Sequence, residues 1–232
     1  MNNPQLPLGL VLRDSARFEC FFGGQNSEIV AALQQAARGA GECFIYIAGL
    51  AGMGKSHLLQ AACRRATDAG RSSAYLPLDA RAELTPDVLA GLEQMDLVCL
   101  DDVHAIAGDA PWERGVFDLF NRMRAAGSTL LVAGRQRPDL AGFGLPDLAS
   151  RLAWGVTFVL KPLAEADVLA ALSWHAHRRG LELPAGTAHF LLKRMPRDLP
   201  SVFDLLDRLD EASLVEQRRL TVPFVKSVLG LE

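Results

Sequence analysis

Residues 49–56 read Gly-Leu-Ala-Gly-Met-Gly-Lys-Ser, and this stretch decides the fold. Its spacing is that of a phosphate-binding loop. Gly49, Gly52 and Gly54 let the backbone curl so that its N–H groups point inward at phosphate oxygens, with Leu50, Ala51 and Met53 between them. Lys55 then reaches the β- and γ-phosphates, and the Ser56 hydroxyl supplies a ligand for Mg²⁺. The run that follows, His57-Leu-Leu-Gln-Ala-Ala-Cys-Arg-Arg, is helical in composition, so its positive dipole end also faces the phosphates. Upstream, Cys43-Phe-Ile-Tyr-Ile-Ala48 is the short β-branched and aromatic run of a buried strand. Strand, loop, helix is the order the motif requires. The same residues would arise by chance in on the order of one chain in a hundred.

The chain has 232 residues, half of them hydrophobic, which is enough for one large or two small domains. A net charge of −3 and a pI near 6.0 give no overall electrostatic pull toward nucleic acid or anionic lipid. Cys20, Cys43, Cys63 and Cys99 show no CxxC spacing, and two of them lie in apolar strand-like runs. They are expected as buried free thiols of a reducing cytoplasm. The start, Met-Asn-Asn-Pro-Gln, lacks the basic and apolar regions of a secretion signal, and no apolar stretch approaches the ~20 residues of a membrane span. A cytoplasmic protein with no membrane partner is the expectation.

Four more strand candidates follow the first: 73–78, 97–101, 128–134 and 156–160. Helical stretches at 55–69, 87–94 and 112–125 separate them. Such alternation predicts right-handed crossovers and a parallel sheet covered on both faces, an α/β fold. From about Leu163 the pattern changes to helices alone, at 164–179, 184–194, 200–217 and 223–229. The expected organisation is a tail over 1–17, an α/β core over 18–162 and a small helical lid over 163–232.

Leu97-Val-Cys-Leu-Asp-Asp102 is an apolar strand ending in two carboxylates. Behind a phosphate loop this is the Walker-B arrangement, in which Asp101 holds Mg²⁺ through its water shell and Asp102 polarises the attacking water. The phosphate loop with His57-Leu58, then 100–108, then Leu145-Pro-Asp-Leu-Ala-Ser-Arg-Leu152, then the helical lid, resembles the AAA+ domain of the bacterial replication initiator DnaA. The pattern is closer still to the Hda family, the regulatory inactivators of that initiator. Trp112-Glu113, Phe117-Asp-Leu-Phe-Asn-Arg122, 145–154, 190–194 and 220–226 all resemble the Hda pattern, and the similarity spans 18–231.

The resemblance implies a five-stranded sheet ordered 5-1-4-3-2, with ADP or ATP and Mg²⁺ bound between core and lid. It implies that Arg151 is an arginine finger, projecting from one subunit at the nucleotide of its neighbour. Arg197 matches the sensor II arginine that touches phosphates from the lid side, and Phe22-Gly-Gly-Gln-Asn26 matches the stretch beside the adenine. A guanidinium in a dry interface neutralises charge on the transferring phosphoryl group. Two departures stand out. Asp102 is one methylene shorter than the Glu general in AAA+ proteins, although the initiator branch shares the Asp. Arg135 replaces the usual Asp sensor I residue, which argues for nucleotide binding with weak turnover at most.

Gln5-Leu-Pro-Leu-Gly-Leu10 resembles the peptide by which bacterial proteins dock on the DNA polymerase III sliding clamp. Two prolines and a glycine keep it extended, so Leu6, Leu8 and Leu10 can enter a groove behind Gln5. His175 and His177 face different sides of their helix and form no metal pair, and His57 and His104 read as supporting hydrogen-bonders. The resemblance implies a clamp-tethered, nucleotide-bound regulator of replication initiation, at the replisome or nucleoid, that switches off DnaA; self-association stays open. A DNA-binding ATPase such as a helicase loader or transposition helper is the alternative. Sequence-specific DNA binding is not expected, because the chain closes at Glu232 without a basic helix-turn-helix. A small-molecule kinase would fit the loop but not the Asp-Asp strand end with a lid.

Overall fold

The computed structural model describes residues 16–162, 164–194, 208–209, 212 and 220–230. Gln5, Leu6, Leu8, Leu10 and Arg197 lie outside the described residues, as does most of the helix expected over 200–217.

Five apolar runs form the strands β1 Phe44–Ala48, β2 Ser73–Pro77, β3 Leu97–Asp101, β4 Thr129–Gly134 and β5 Val156–Val159. All pair in parallel, in the order β2-β3-β4-β1-β5, which is the expected 5-1-4-3-2 read from the other edge. β1, β3 and β4 are buried at every position, so they show no polar alternation; a sheet covered on both faces requires this. Side chains still alternate between faces. Phe44, Tyr46, Val98, Leu100, Leu130 and Val132 point to one face and pack with Trp112, Val116, Leu119, Phe120 and Met123 of helix α3, Ala110–Ala126. Each such burial contributes roughly 1.5–3 kcal/mol. On the opposite face the Cys99 thiol donates to Leu59 O at 3.5 Å, on helix α2, Lys55–Asp68, which also contacts α1, Ser27–Ala37.

Three local expectations change. Helix α1 was not foreseen, although Ile29, Leu33, Ala36 and Ala37 recur on one buried face. The helix expected over 87–94 is instead a pair of 3-10 turns, Pro86–Leu89 and Leu92–Gln94, interrupted at Gly91. Helical composition over eight residues does not survive a left-handed glycine in the middle, which leaves pieces too short to hold an α-helix. Cys43 is exposed and Cys20 half-buried, so only Cys63 and Cys99 are the buried free thiols expected. Cys43 sits just before β1 begins, outside the covered part of the strand.

Two compact units divide the chain. The first contains Ser27–Leu50 and Lys55–Leu160; the second contains Phe22–Asn26, Ala51–Gly54 and the described residues after Leu160. In the second, α5 Glu165–Arg178 and α6 Ala185–Leu192 bury Val168, Leu172, Ala176 and Leu192 together. Helix α7, Val222–Leu229, adds Phe224 and Val225 against Leu191, Leu209 and Leu220. Thr221 accepts from Phe224 N as the N-cap of α7, and the buried Thr187 hydroxyl donates to Leu220 O at 2.9 Å.

Candidate functional site

The parallel sheet brings the chemistry-bearing segments to the carboxyl ends of its strands, where open α/β sheets bind ligands. The loop after β1, the acidic pair ending β3 and Arg135 after β4 share that edge. Gly49 N donates to Gly134 O at 3.1 Å, so the loop leaves the sheet still tied to its ladder. Gly52 and Gly54 have φ of 78° and 87°, a conformation that a Cβ would oppose, whereas Gly49 needs no left-handed angle. Leu50 turns its side chain outward and is 70% exposed.

Lys55 opens α2 and is buried. Its Nζ donates to Gly49 O at 2.7 Å and to Leu50 O at 2.9 Å. An ammonium has three donors, so one remains for an anion. Burial pulls the Lys55 pKa below its ordinary value, with the carboxylates of Asp102 and Asp101 working the other way and Arg135 adding to the fall. The first turn of α2 contains no acidic residue, so its N–H groups and dipole are free of an internal counter-charge.

Asp101 is almost fully buried. Its Oδ2 accepts the Tyr75 hydroxyl at 2.7 Å and its Oδ1 accepts Asp102 N at 2.9 Å. Burial pushes its carboxyl pKa up, opposed by hydrogen bonds from Ser56 and Tyr75. The Ser56 hydroxyl and the Asp101 carboxylate therefore lie side by side, two hard oxygen donors beside an anion-binding loop. This set suits Mg²⁺, which takes few protein ligands and completes its octahedron with water and phosphate oxygens. Among the described residues, no group of three or more His, Cys, Asp or Glu side chains forms a separate metal cage.

Asp102 adopts φ 50° and ψ 42°, a left-handed conformation found at no other non-glycine described residue. Its Oδ1 lies 3.7 Å from His104 Nδ1, and burial lowers the His104 pKa. His57 directs Nε2 to Arg17 O at 2.9 Å and its ring lies 5.8 Å from that of Phe21. His57 thus supports neighbouring chain, whereas the buried His104 Nδ1 has no hydrogen-bond partner among the described residues, so the supporting bond expected of it is not made there. Asn26 is buried with both amide ends engaged: Nδ2 donates to Lys161 O at 2.9 Å and Oδ1 accepts Lys161 N at 2.8 Å. Phe22 meets Trp174 edge-on at 6.5 Å.

Arg151 lies in the last turn of helix α4, Pro146–Leu152, partly exposed. Leu148 and Leu152 bury the adjacent face of this helix in the core shared with α3. The Arg151 guanidinium has no hydrogen-bond or ion-pair partner among the described residues.

Sequence reasoning missed Tyr75 and Tyr46. Tyr75 pairs in register with Cys99, two residues before Asp101, which brings its hydroxyl to the carboxylate. Burial raises the Tyr75 pKa, and the Asp101 charge raises it further, so the hydroxyl keeps its proton and donates it to that carboxylate, while hydrogen bonds from Gln60 and Ser56 act the other way. The Tyr46 hydroxyl donates to Gln136 O at 2.9 Å, holding the turn that carries Arg135. A Cβ on Gly134 would overlap that hydroxyl, so the glycine admits the contact. Polar-tipped aromatics inside otherwise aliphatic strands were the available signal.

Comparison with known proteins matches residues 12–159 to the family of the bacterial DnaA ATPase domain. Residues 165–229 match the family described as Hda, lid domain. Among solved structures, domain III of the Thermotoga maritima replication initiation protein DnaA superposes with a TM-score of 0.78 at 20% identity, covering 94% of this chain and 96% of that one. AMPPCP-bound DnaA from Aquifex aeolicus gives 0.76 at 22% identity, over 89% of this chain and 68% of that one. The Thermotoga maritima RuvB Holliday junction branch migration motor gives 0.66 at 16%, over 88% and 67%. At these identities the superpositions establish a shared AAA+ fold.

Proposed function

Since the chain belongs to the bacterial DnaA ATPase family and its C-terminal residues match the Hda lid, we propose that it regulates replication initiation as a nucleotide-held adaptor. ADP or ATP is held by residues 49–57 with Mg²⁺ at Ser56 and Asp101, Arg197 reaches the phosphates, and Phe22 lies beside the base. Asn26 contributes at one remove, by fixing the Lys161 backbone. Gln5, Leu6, Leu8 and Leu10 dock on the DNA polymerase III sliding clamp. Arg151 enters the ATP site of a DnaA initiator and speeds hydrolysis there, which switches the initiator off.

The observation that carries this reading is Arg151 itself. A cation with no partner among the described residues, on a helix whose adjacent face is locked in the core, is available to an anion on a neighbouring molecule. A guanidinium so supplied acts only on charge that develops in the partner's transition state. Weak turnover in this chain itself is supported by Arg135, whose charge bears on Lys55 and His104 where the family usually has an acid.

The test is ADP formation on purified ATP-loaded initiator, with clamp on DNA and either wild type or Arg151→Ala added. Arg151→Ala is expected to bind nucleotide and clamp as wild type does, yet to lose nearly all stimulation; supplied arginine fingers contribute ~10³–10⁵ in rate. Arg151→Lys should rescue poorly, since a flexible point charge lacks the planar fork. Full stimulation by the alanine variant rejects the finger. Stimulation by neither protein, with turnover on DNA alone, would favour a helicase-loader type of ATPase.

A further inference from the structure

Glu113, on α3 one residue after Trp112, is 1% exposed, and no cation pairs with it among the described residues. Its partners are backbone amides. Oε1 accepts Gly108 N at 2.7 Å and Gly144 N at 2.9 Å, while Oε2 accepts Leu145 N at 2.6 Å. Three charge-assisted hydrogen bonds replace the hydration that a buried carboxylate loses. Two of the three donors stand at the entry to α4, and Leu145 is the N-cap of that helix with no side-chain cap of its own.

The carboxylate therefore takes the place of the missing cap, and it does so from a different helix. Leu148 and Leu152 fix the roll of α4 by burying one face. At the entry Phe143 and Leu145 pack on the core, and Glu113 adds the directional restraint by holding the amides of Gly144 and Leu145. Arg151 lies six residues beyond Leu145, about 9 Å along the axis at the usual rise. A tilt of about 10° at the entry moves the guanidinium by roughly 1.5 Å over that length. Misplacement of ~1 Å at a reacting centre is enough to lower a rate by ~10²-fold.

We propose that Glu113 is the positioning residue that sets the reach of Arg151 into the partner's nucleotide site, through the amides of Gly144 and Leu145. The proposal rests on Arg151 acting in trans as described above. It assigns a function in catalysis to a carboxylate that touches neither nucleotide nor partner.

The full chain with Glu113→Gln tests it, in the same assay of ADP formed on ATP-loaded initiator. The concentration of added protein is varied to saturation. The amide keeps the shape but turns N–H groups toward N–H groups. The expected result is a plateau rate lowered about tenfold or more, a half-maximal concentration within about twofold of wild type, and unchanged affinity for fluorescent ADP. The double variant with Arg151→Ala should fall no lower than Arg151→Ala alone.

A purely structural role would only reduce the folded fraction. It would shift the half-maximal concentration and leave the plateau intact, which overturns the proposal. A wild-type plateau for Glu113→Gln beside an inactive Arg151→Ala overturns it too, while leaving the finger in place. Full activity of Arg151→Ala removes the underlying reading itself, and the proposal with it. Should Glu113→Gln fail to fold, Glu113→Asp keeps the charge and gives up one methylene of reach. It is expected to lower the plateau to an intermediate value, and a wild-type plateau there is equally decisive against.

Discussion

Replacing Lys55 by alanine removes the one cation held inside the phosphate loop. Its ammonium uses two donors on Gly49 O and Leu50 O, leaving one N–H and the full charge to face a bound anion. At an effective dielectric of ~20, two unit charges ~4 Å apart attract by ~4 kcal/mol. At 1.4 kcal/mol per decade the variant should bind nucleotide about a thousandfold more weakly. The fold should survive. Burial holds the Lys55 pKa below its unfolded value, so the ionised side chain disfavours folding at every pH below that value. Its removal takes away no charge stabilisation, and the losses are two hydrogen bonds, one of them part-buried. Fluorescent ADP and ATP titrations, each with and without Mg²⁺, read the affinity, and a thermal melt reads the fold. Affinity within tenfold of wild type, in a protein that melts normally, would refute the assignment of Lys55 to the phosphates.

Two other changes separate binding from folding. Asp101→Asn should raise the melting temperature at pH 7 by a few degrees, on the order of 2–4 °C per kcal/mol for a chain this long, while abolishing the Mg²⁺ dependence of nucleotide binding. The sign follows from burial: the folded pKa of Asp101 is raised, so its ionised form disfavours folding above the unfolded pKa. The gain should vanish as pH falls below ~4, where the unfolded carboxyl is also protonated; a lower melting point at pH 7 contradicts it. Replacing Gln5, Leu6 and Leu8 by alanine should eliminate retention on immobilised clamp and leave nucleotide affinity and melting unchanged. Undiminished retention would exclude the tail as the docking peptide.

The sheet was legible because β1, β3 and β4 are unbroken apolar runs, and the phosphate loop because its chemistry tolerates few residue types. The order of the strands came from family resemblance rather than periodicity. Helix α1 had the right spacing at Ile29, Leu33, Ala36 and Ala37 but no motif beside it to draw the eye. The stretch 87–94 misled because helix propensity is additive while a helix is cooperative; short 3-10 turns satisfy the same residues once Gly91 intervenes. Asn26 and Glu113 were singled out by resemblance, but the backbone bonds they make were out of reach for a different reason. Each bonds the backbone of a segment distant in sequence, 135 and 31 or 32 residues away. A backbone amide has no letter of its own, so no pattern in the residues announces such a partner.

The left-handed backbone at Asp102 limits which residues can occupy that position. L-residues lose roughly 1–2 kcal/mol in that region, and Asp and Asn suffer least because a short polar side chain bonds locally. The general AAA+ glutamate would bring its longer reach to a main chain shaped against it. A single-codon change from Asp to Glu would therefore install the usual acid while straining the turn that aims it. Any route to that acid runs first through the geometry of one peptide unit, and only then through the carboxylate.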